Sequence, residues 1–176
     1  RLVGSEMCIR DRLTLMLAID VSGSKNFGTK NYLKSEFVTE IAATLAFSAN
    51  QNNDKVGLIL FSDKVELYIP PKKGRSHVLR IIRELIEFKP TSKKTSINEA
   101  LRFLSSVLKK RSILFIFSDF IDNEYEQNLS ILSKRHDVTG CRVYDKAEIE
   151  IPNLGLVQMI DQESGETRLI NTAFSQ

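Results

Sequence analysis

The stretch that decides the fold is residues 13–24, which read LTLMLAIDVSGS. Its first seven residues are a nearly unbroken apolar run that ends at Asp20, which is typical of a strand buried on both faces of a sheet. The residues after Asp20 are rich in serine and glycine and predict a loop over residues 21–28. A buried strand followed at once by a polar loop indicates an α/β protein in which loops at strand ends carry the function.

Helical and strand patterns alternate along the rest of the chain. Amphipathic helices are predicted over residues 30–52, 78–88, 96–110 and 124–136, and strands over residues 55–62, 65–69, 112–117, 138–144, 156–160 and 167–170. Only two residues separate the second and third strands, so we expect the third to be antiparallel, with Pro70-Pro71 ending it at a sheet edge. This order predicts a three-layer α/β/α sandwich, Rossmann-like, with a mostly parallel sheet and one antiparallel edge strand.

Polar side chains follow the ends of the buried strands. Asp20 and Asp119 come directly after apolar runs, and right-handed crossovers place the loops after parallel strands at one sheet edge, where ligands bind. In an extended chain Ser22 points the same way as Asp20, and the following glycine lets the chain turn so that Ser24 approaches the same point. Thr95 precedes the third predicted helix, at its N-cap position. These five residues form one candidate site at this edge.

The predicted site contains only oxygen ligands, two carboxylates and three hydroxyls. Hard oxygen ligands suit Mg²⁺, or Mn²⁺ or Ca²⁺, and do not suit Zn²⁺. Because few ligands carry charge, a cation held here would accept an outside carboxylate as a further ligand. We therefore expect a binding module whose coordination shell is completed by an acidic side chain of a protein partner.

The same residues resemble a known motif. DVSGS at residues 20–24, Thr95 within TSINEAL and Ser118-Asp119 are similar to the metal-ion-dependent adhesion site (MIDAS) of von Willebrand factor A (VWA) domains. Further stretches resemble the bacterial VWA-like "domain of unknown function 58" family: VGLILFS (56–62), PPKKGR (70–75), FSDF (117–120), RHDV (135–138) and DQESGE (161–166).

The resemblance implies roles for the site residues and a context for the domain. It implies that Ser22, Ser24 and often Thr95 bind the ion directly, while Asp20 and Asp119 act largely through bound waters. Members of the family often carry membrane segments ahead of this domain and are commonly encoded beside MoxR-type AAA+ ATPases. The resemblance therefore implies such an ATPase, or its client, as the protein partner.

The sequence departs from the motif in its charges. Lys93-Lys94 precede Thr95 where many VWA domains have glycine, and Lys25 follows Ser24 where many have methionine. Cations that point toward the site would oppose ion binding, and they would also attract an acidic partner.

Two alternatives to a metal-dependent binding module remain open. The first is a structural VWA-like domain whose site is vestigial and empty. The second is a hydrolase. With Ser22 or Ser24 as nucleophile it would need a base within hydrogen-bond reach, but the two histidines, His77 and His136, lie far along the chain in helical contexts. As a metal-dependent phosphatase it would need a second acid two residues after Asp20, where Ser22 stands. We therefore expect no enzymatic activity. Residues 122–124 extend the metal rim or, more simply, cap the next helix.

Composition limits the remaining functions. A net charge of +3 and the absence of tryptophan do not favour nucleic-acid binding, and no apolar run is long enough to span a bilayer. We expect a cytoplasmic domain without membrane contact of its own, with membrane association through segments outside this sequence. Residues 1–12, RLVGSEMCIRDR, resemble translated sequencing-adapter sequence, the alternative being a disordered lead-in. Residues 13–176 are then a VWA-like domain from a longer protein, with Cys141 as a strand thiol in the core.

Overall fold

The computed structural model describes residues 13–22, 34–92, 94–122, 124–144, 156–160 and 167–171. The strands in these ranges are β1 (Thr14–Asp20), β2 (Lys55–Phe61), β3 (Val65–Lys72), β4 (Ile113–Ser118), β5 (Asp137–Arg142), β6 (Leu156–Ile160) and β7 (Thr167–Asn171). The helices are α1 (Lys34–Gln51), α2 (Arg75–Glu87), α3 (Ile97–Val107) and α4 (Glu126–Arg135). Residues 1–12 lie outside the described ranges, so the interpretation of that segment stays a prediction.

The main sheet has five strands in the order β3-β2-β1-β4-β5. β1 is parallel to β2 and β4, β4 is parallel to β5, and β3 is antiparallel to β2. This confirms the mostly parallel sheet with one antiparallel edge strand. β6 and β7 form a separate antiparallel pair.

The prediction that Pro70-Pro71 end the third strand was wrong. β3 continues through both prolines to Lys72, which pairs with Val56 across a register shift. The sheet tolerates these prolines because β3 is an edge strand, where a missing backbone N–H removes no ladder bond on the open side.

Helices cover both faces of the sheet, which explains the unbroken apolar run in β1. Leu15, Leu17 and Ile19 pack on one side with residues of α1 and α2. Met16 and Ala18 pack on the other side with residues of α3 and α4. Every residue of β1 from Leu15 onward is buried, so Asp20 is carried into the interior by the strand that it ends.

Two further predictions concern burial. Cys141 in β5 packs half-buried against the apolar cluster of α1 and α2, as expected of a core thiol, and burial raises the pKa of its thiol. Among the described residues, no helix is both long and apolar enough to cross a membrane.

Candidate functional site

The central strands end level with one another at the carboxyl edge of the sheet. Asp20 pairs with Phe61 of β2, and Ile19 pairs with Phe117 of β4. The backbone N–H of Val21 donates to the Phe61 carbonyl at 2.7 Å, which continues the pairing one residue past β1. The carboxyl ends of β1, β2 and β4 therefore lie side by side.

The carboxylate of Asp20 is fixed by hydrogen bonds at both oxygens. Its Oδ1 accepts the backbone N–H of Ser22 at 2.9 Å, and its Oδ2 accepts the hydroxyl of Ser118 at 2.9 Å. Asp20 is only 4% exposed and Ser118 is also buried.

Ser22 presents a buried hydroxyl beside this carboxylate. The residue is 1% exposed, and its Oγ has no hydrogen-bond partner among the residues that the structure describes. Leaving a hydroxyl buried and unpaired costs about 1–3 kcal/mol, so such groups are rare in folded proteins and call for an explanation. A cation at this position would accept the lone pairs of Oγ and remove the cost.

Thr95 lies in the segment that enters α3, but it is not the N-cap that the sequence predicted. α3 begins at Ile97, and the N-cap is Ser96, which makes no side-chain capping bond. The N–H of Ser96 instead donates to the Ser62 carbonyl at 2.8 Å, which ties the segment to the end of β2. This places half-buried Thr95 at the carboxyl edge without using its hydroxyl as a cap.

The loop after β4 carries Asp119 and contacts the start of α3. Asp119 accepts the backbone N–H of Ile121 at 3.0 Å through Oδ1. Asp122 accepts the N–H of Ile97 at 2.7 Å and so caps α3. The expectation that residues 122–124 cap the following helix was wrong for the N-cap position, which is Tyr125 and has no side-chain capping bond, and Asn123 lies outside the described residues. The bond from Ile97 to Asp122 joins the Thr95 and Asp119 segments.

Phe120, next to Asp119, has a backbone conformation that most residues avoid. Its φ is 58°, in the left-handed region, which costs about 1–2 kcal/mol for a residue with a Cβ. Its ring packs against Tyr125 with 6.0 Å between the ring centroids and lies directly over Gly140 of β5. The packing of this ring therefore fixes the backbone just after Asp119.

Part of the predicted site lies outside the described residues. Asp20, Ser22, Thr95 and Asp119 are described, whereas Ser24, Lys25 and Lys93 are not. Lys94 is exposed to solvent. The structure thus brings the ends of β1 and β4 and the entry to α3 to one edge, and the position of Ser24 stays a prediction.

Comparison with known proteins identifies the family. A family model described as "Protein of unknown function DUF58" matches residues 6–176. The chain belongs to this family. Among curated proteins it is similar to the uncharacterized proteins Mb1516 of Mycobacterium bovis and Rv1480 of Mycobacterium tuberculosis. It is 27% identical to each over 164 residues, which cover 91% of this chain and 52% of the relative. The chain thus spans about half the length of these relatives.

Solved structures share the fold. BatB from Bacteroides thetaiotaomicron superposes with a TM-score of 0.65 at 16% identity, covering 90% of this chain and 79% of BatB. An aerotolerance-related membrane protein from Bacteroides fragilis gives 0.64 at 17% identity, covering 91% and 82%. At this identity the similarity establishes the VWA-like fold of this DUF58 member and nothing about its ligand.

The sequence did not indicate the roles of three residues that build the site. Ser118 was part of the motif, yet its role as donor to Asp20 depends on a contact between residues far apart in the chain. Ser62 accepts the N–H that anchors the Thr95 segment, and Glu66 binds the same segment farther upstream. A polar residue at the end of an apolar strand was the available signal for Ser118, whereas Ser62 acts through its backbone carbonyl and neither it nor Glu66 had a signal.

The donor chemistry of the described residues fits a hard cation. Among them, no group of three or more histidine, cysteine, aspartate or glutamate side chains could hold a metal. Hydroxyl oxygens are hard ligands too, and the buried Oγ of Ser22, which has no partner among the described residues, is a ligand of that kind.

Proposed function

We propose that this DUF58 member is a divalent-cation-dependent protein-binding module of the VWA adhesion-site type. It holds Mg²⁺, or Mn²⁺ or Ca²⁺, through Asp20, Ser22, Ser24, Thr95 and Asp119. An acidic side chain of a protein partner completes the coordination shell. The observation that carries the proposal is the buried Ser22 hydroxyl, which has no partner among the described residues.

In this proposal some residues of the chain contact the cation directly and others act through bound water. The hydroxyl of Ser22 is the ligand for which the described residues supply no other partner, and Ser24 and Thr95 are the further hydroxyl ligands. Asp20, which accepts bonds from the Ser22 N–H and the Ser118 hydroxyl, acts on the ion through bound waters. When bound, the cation supplies an open coordination position for an outside carboxylate.

Two observations support a binding role over catalysis. Both histidines of the chain are described, and neither lies at the carboxyl edge. Nε2 of His77 donates to the Val56 carbonyl near the start of β2, at 2.9 Å. His136 directly precedes β5, so it also lies at the edge where the parallel strands begin, opposite the candidate site. A serine nucleophile at Ser22 would therefore have no histidine base.

The partner and the cellular setting follow from the family resemblance. We propose a MoxR-type AAA+ ATPase, or its client, as the protein that supplies the acidic side chain. The domain works in the cytoplasm without binding nucleic acid, and it is tethered to the membrane by segments outside this sequence. One structural neighbour is described as a membrane protein, which agrees with such a tether.

Cation-dependent capture of a purified MoxR-type ATPase tests the proposal. The wild-type chain should bind the ATPase in MgCl₂ and release it in EDTA. Asp20→Asn keeps the shape of the side chain and should abolish capture. Asp137→Asn removes the same charge at the opposite edge of the sheet, where Asp137 pairs with Arg111, and should bind normally. Capture that persists unchanged in EDTA would show that the module does not depend on a cation.

The competing account is a structural domain with a vestigial site. It predicts that neither Mg²⁺, Mn²⁺ nor Ca²⁺ raises the melting temperature of the wild-type chain, because a ligand stabilises only the state that it binds. A rise that is lost in Asp20→Asn decides for the occupied site.

A further inference from the structure

Glu66, on the edge strand β3, is a hydrogen-bond centre outside the predicted site. Its Oε1 accepts the hydroxyl of Ser62 at 2.5 Å, and its Oε2 accepts both the backbone N–H and the hydroxyl of Thr91, at 2.9 and 3.0 Å. A longer contact of 3.4 Å joins Oε1 to the N–H of Ser92. One carboxylate thus connects the end of β2 to the segment that follows α2.

These bonds favour the charged carboxylate. Partial burial acts to raise the pKa of Glu66, but the hydrogen bonds from Ser62, Thr91 and Ser92 together outweigh it and lower the pKa. Because hydrogen bonds to a charged acceptor are about twice as strong as neutral ones, the connection is firm.

The segment from Thr91 to Ser96 is held at both ends by the same short stretch of chain. Its beginning is bonded to Glu66, and its end is bonded through the Ser96 N–H to the carbonyl of Ser62. Ser62 is itself bonded to Glu66. Thr95 lies between these two anchors, directly before the residue whose N–H bonds to Ser62.

We propose that Glu66 is a positioning residue that sets the cation affinity of the site by holding Thr95 in place. This inference rests on the proposed function, since it assigns Glu66 to the same site. Glu66 acts through Thr95, because both of its oxygens are already engaged by donors of the protein. A neutral amide at this position would turn an NH₂ group toward donors and loosen the segment.

Calorimetric titration with MgCl₂ tests the inference on three chains. Glu66→Gln should weaken Mg²⁺ binding by about tenfold, the lower end of what the loss of a supporting hydrogen bond costs a metal site. Asp137→Asn loses the same charge far from the site and should bind Mg²⁺ like the wild type. An equal loss in both variants would show that net charge alone sets the affinity and would overturn the inference.

A double-mutant cycle with Thr95→Val separates positioning from general damage. If Glu66 acts through the Thr95 hydroxyl, Glu66→Gln should change the Mg²⁺ affinity of Thr95→Val by less than about twofold. The same tenfold loss in both backgrounds would overturn the inference and leave the proposed function intact. A wild-type chain that binds no Mg²⁺ would overturn the proposed function as well.

Discussion

Substituting Ser22 with alanine should stabilise the metal-free chain. Ser22 is buried, and its hydroxyl has no partner among the described residues, so removal of the oxygen relieves a desolvation cost of about 1–3 kcal/mol. In a chain of 176 residues each kcal/mol shifts the melting temperature by about 2–4 °C, so the expected rise in EDTA is about 2–12 °C.

Cation binding should reverse the order of the two proteins. At a Mg²⁺ concentration one hundred times the Kd, the wild type gains about 2.7 kcal/mol of stability. Ser22→Ala lacks a direct ligand and should gain little. Melting followed by circular dichroism measures this directly. In EDTA the melting temperature of Ser22→Ala should be above that of the wild type, and in excess MgCl₂ it should be below.

Ser118→Ala is the matched control. It removes a buried serine hydroxyl that does have a partner, the carboxylate of Asp20. Loss of a hydrogen bond to a charged group costs about 1.5–3 kcal/mol, so this variant should melt below the wild type in EDTA. The reasoning is refuted if Ser22→Ala also melts below the wild type in EDTA, or if it gains as much from Mg²⁺ as the wild type does.

Three further predictions concern groups around the sheet. Because the folded chain lowers the pKa of Glu66, its contribution to stability is present above the ordinary value of 4.5 and is lost as pH falls through the lower folded pKa. The free energy of unfolding of Glu66→Gln, measured in urea, should therefore change less across that acidic range than that of the wild type. The pKa of His136 is lowered by burial and by the charge of Arg135, so its contribution is present above 6.5 and lost as pH falls below that value. His136→Leu should remove this loss. A free energy of unfolding that falls as steeply between neutral and mildly acidic pH in His136→Leu as in the wild type would contradict the prediction. A Cβ at Gly140 would lie 3.0 Å from Cζ of Phe120, so Gly140→Ala should displace that ring and weaken Mg²⁺ binding, whereas the exposed neighbour variant Thr139→Ala should leave Mg²⁺ binding unchanged.

The architecture could be predicted because periodic apolar patterns report burial directly. The run before Asp20 indicated burial on both faces, and the structure buries it between two pairs of helices. The short turn at Asp63-Lys64 indicated the antiparallel strand, because a connection of that length allows no crossover. The end of that strand could not be predicted, since the tolerance for proline depends on which side of β3 is open.

The supporting bonds of the site could not be predicted for a different reason. Ser118 and Asp20 are 98 positions apart, and Asp122 and Ile97 are 25 apart. Local rules assign a helix cap to the nearest polar residue, which here was Thr95. In the structure the first N–H of α3 donates instead to Asp122, in the loop after β4. Such contacts depend on strand order and register, which a single sequence specifies only indirectly.

Equilibrium binding of Mn²⁺ tests the central claim most directly. The electron paramagnetic resonance signal of free Mn²⁺ falls as the ion binds, so a titration gives both stoichiometry and affinity. The wild-type chain should bind one ion that Mg²⁺ displaces, and both Ser22→Ala and Asp20→Asn should lose this binding. A signal that the wild-type chain leaves unchanged, or that both variants reduce as much as the wild type does, would contradict a cation site at the carboxyl edge of the sheet.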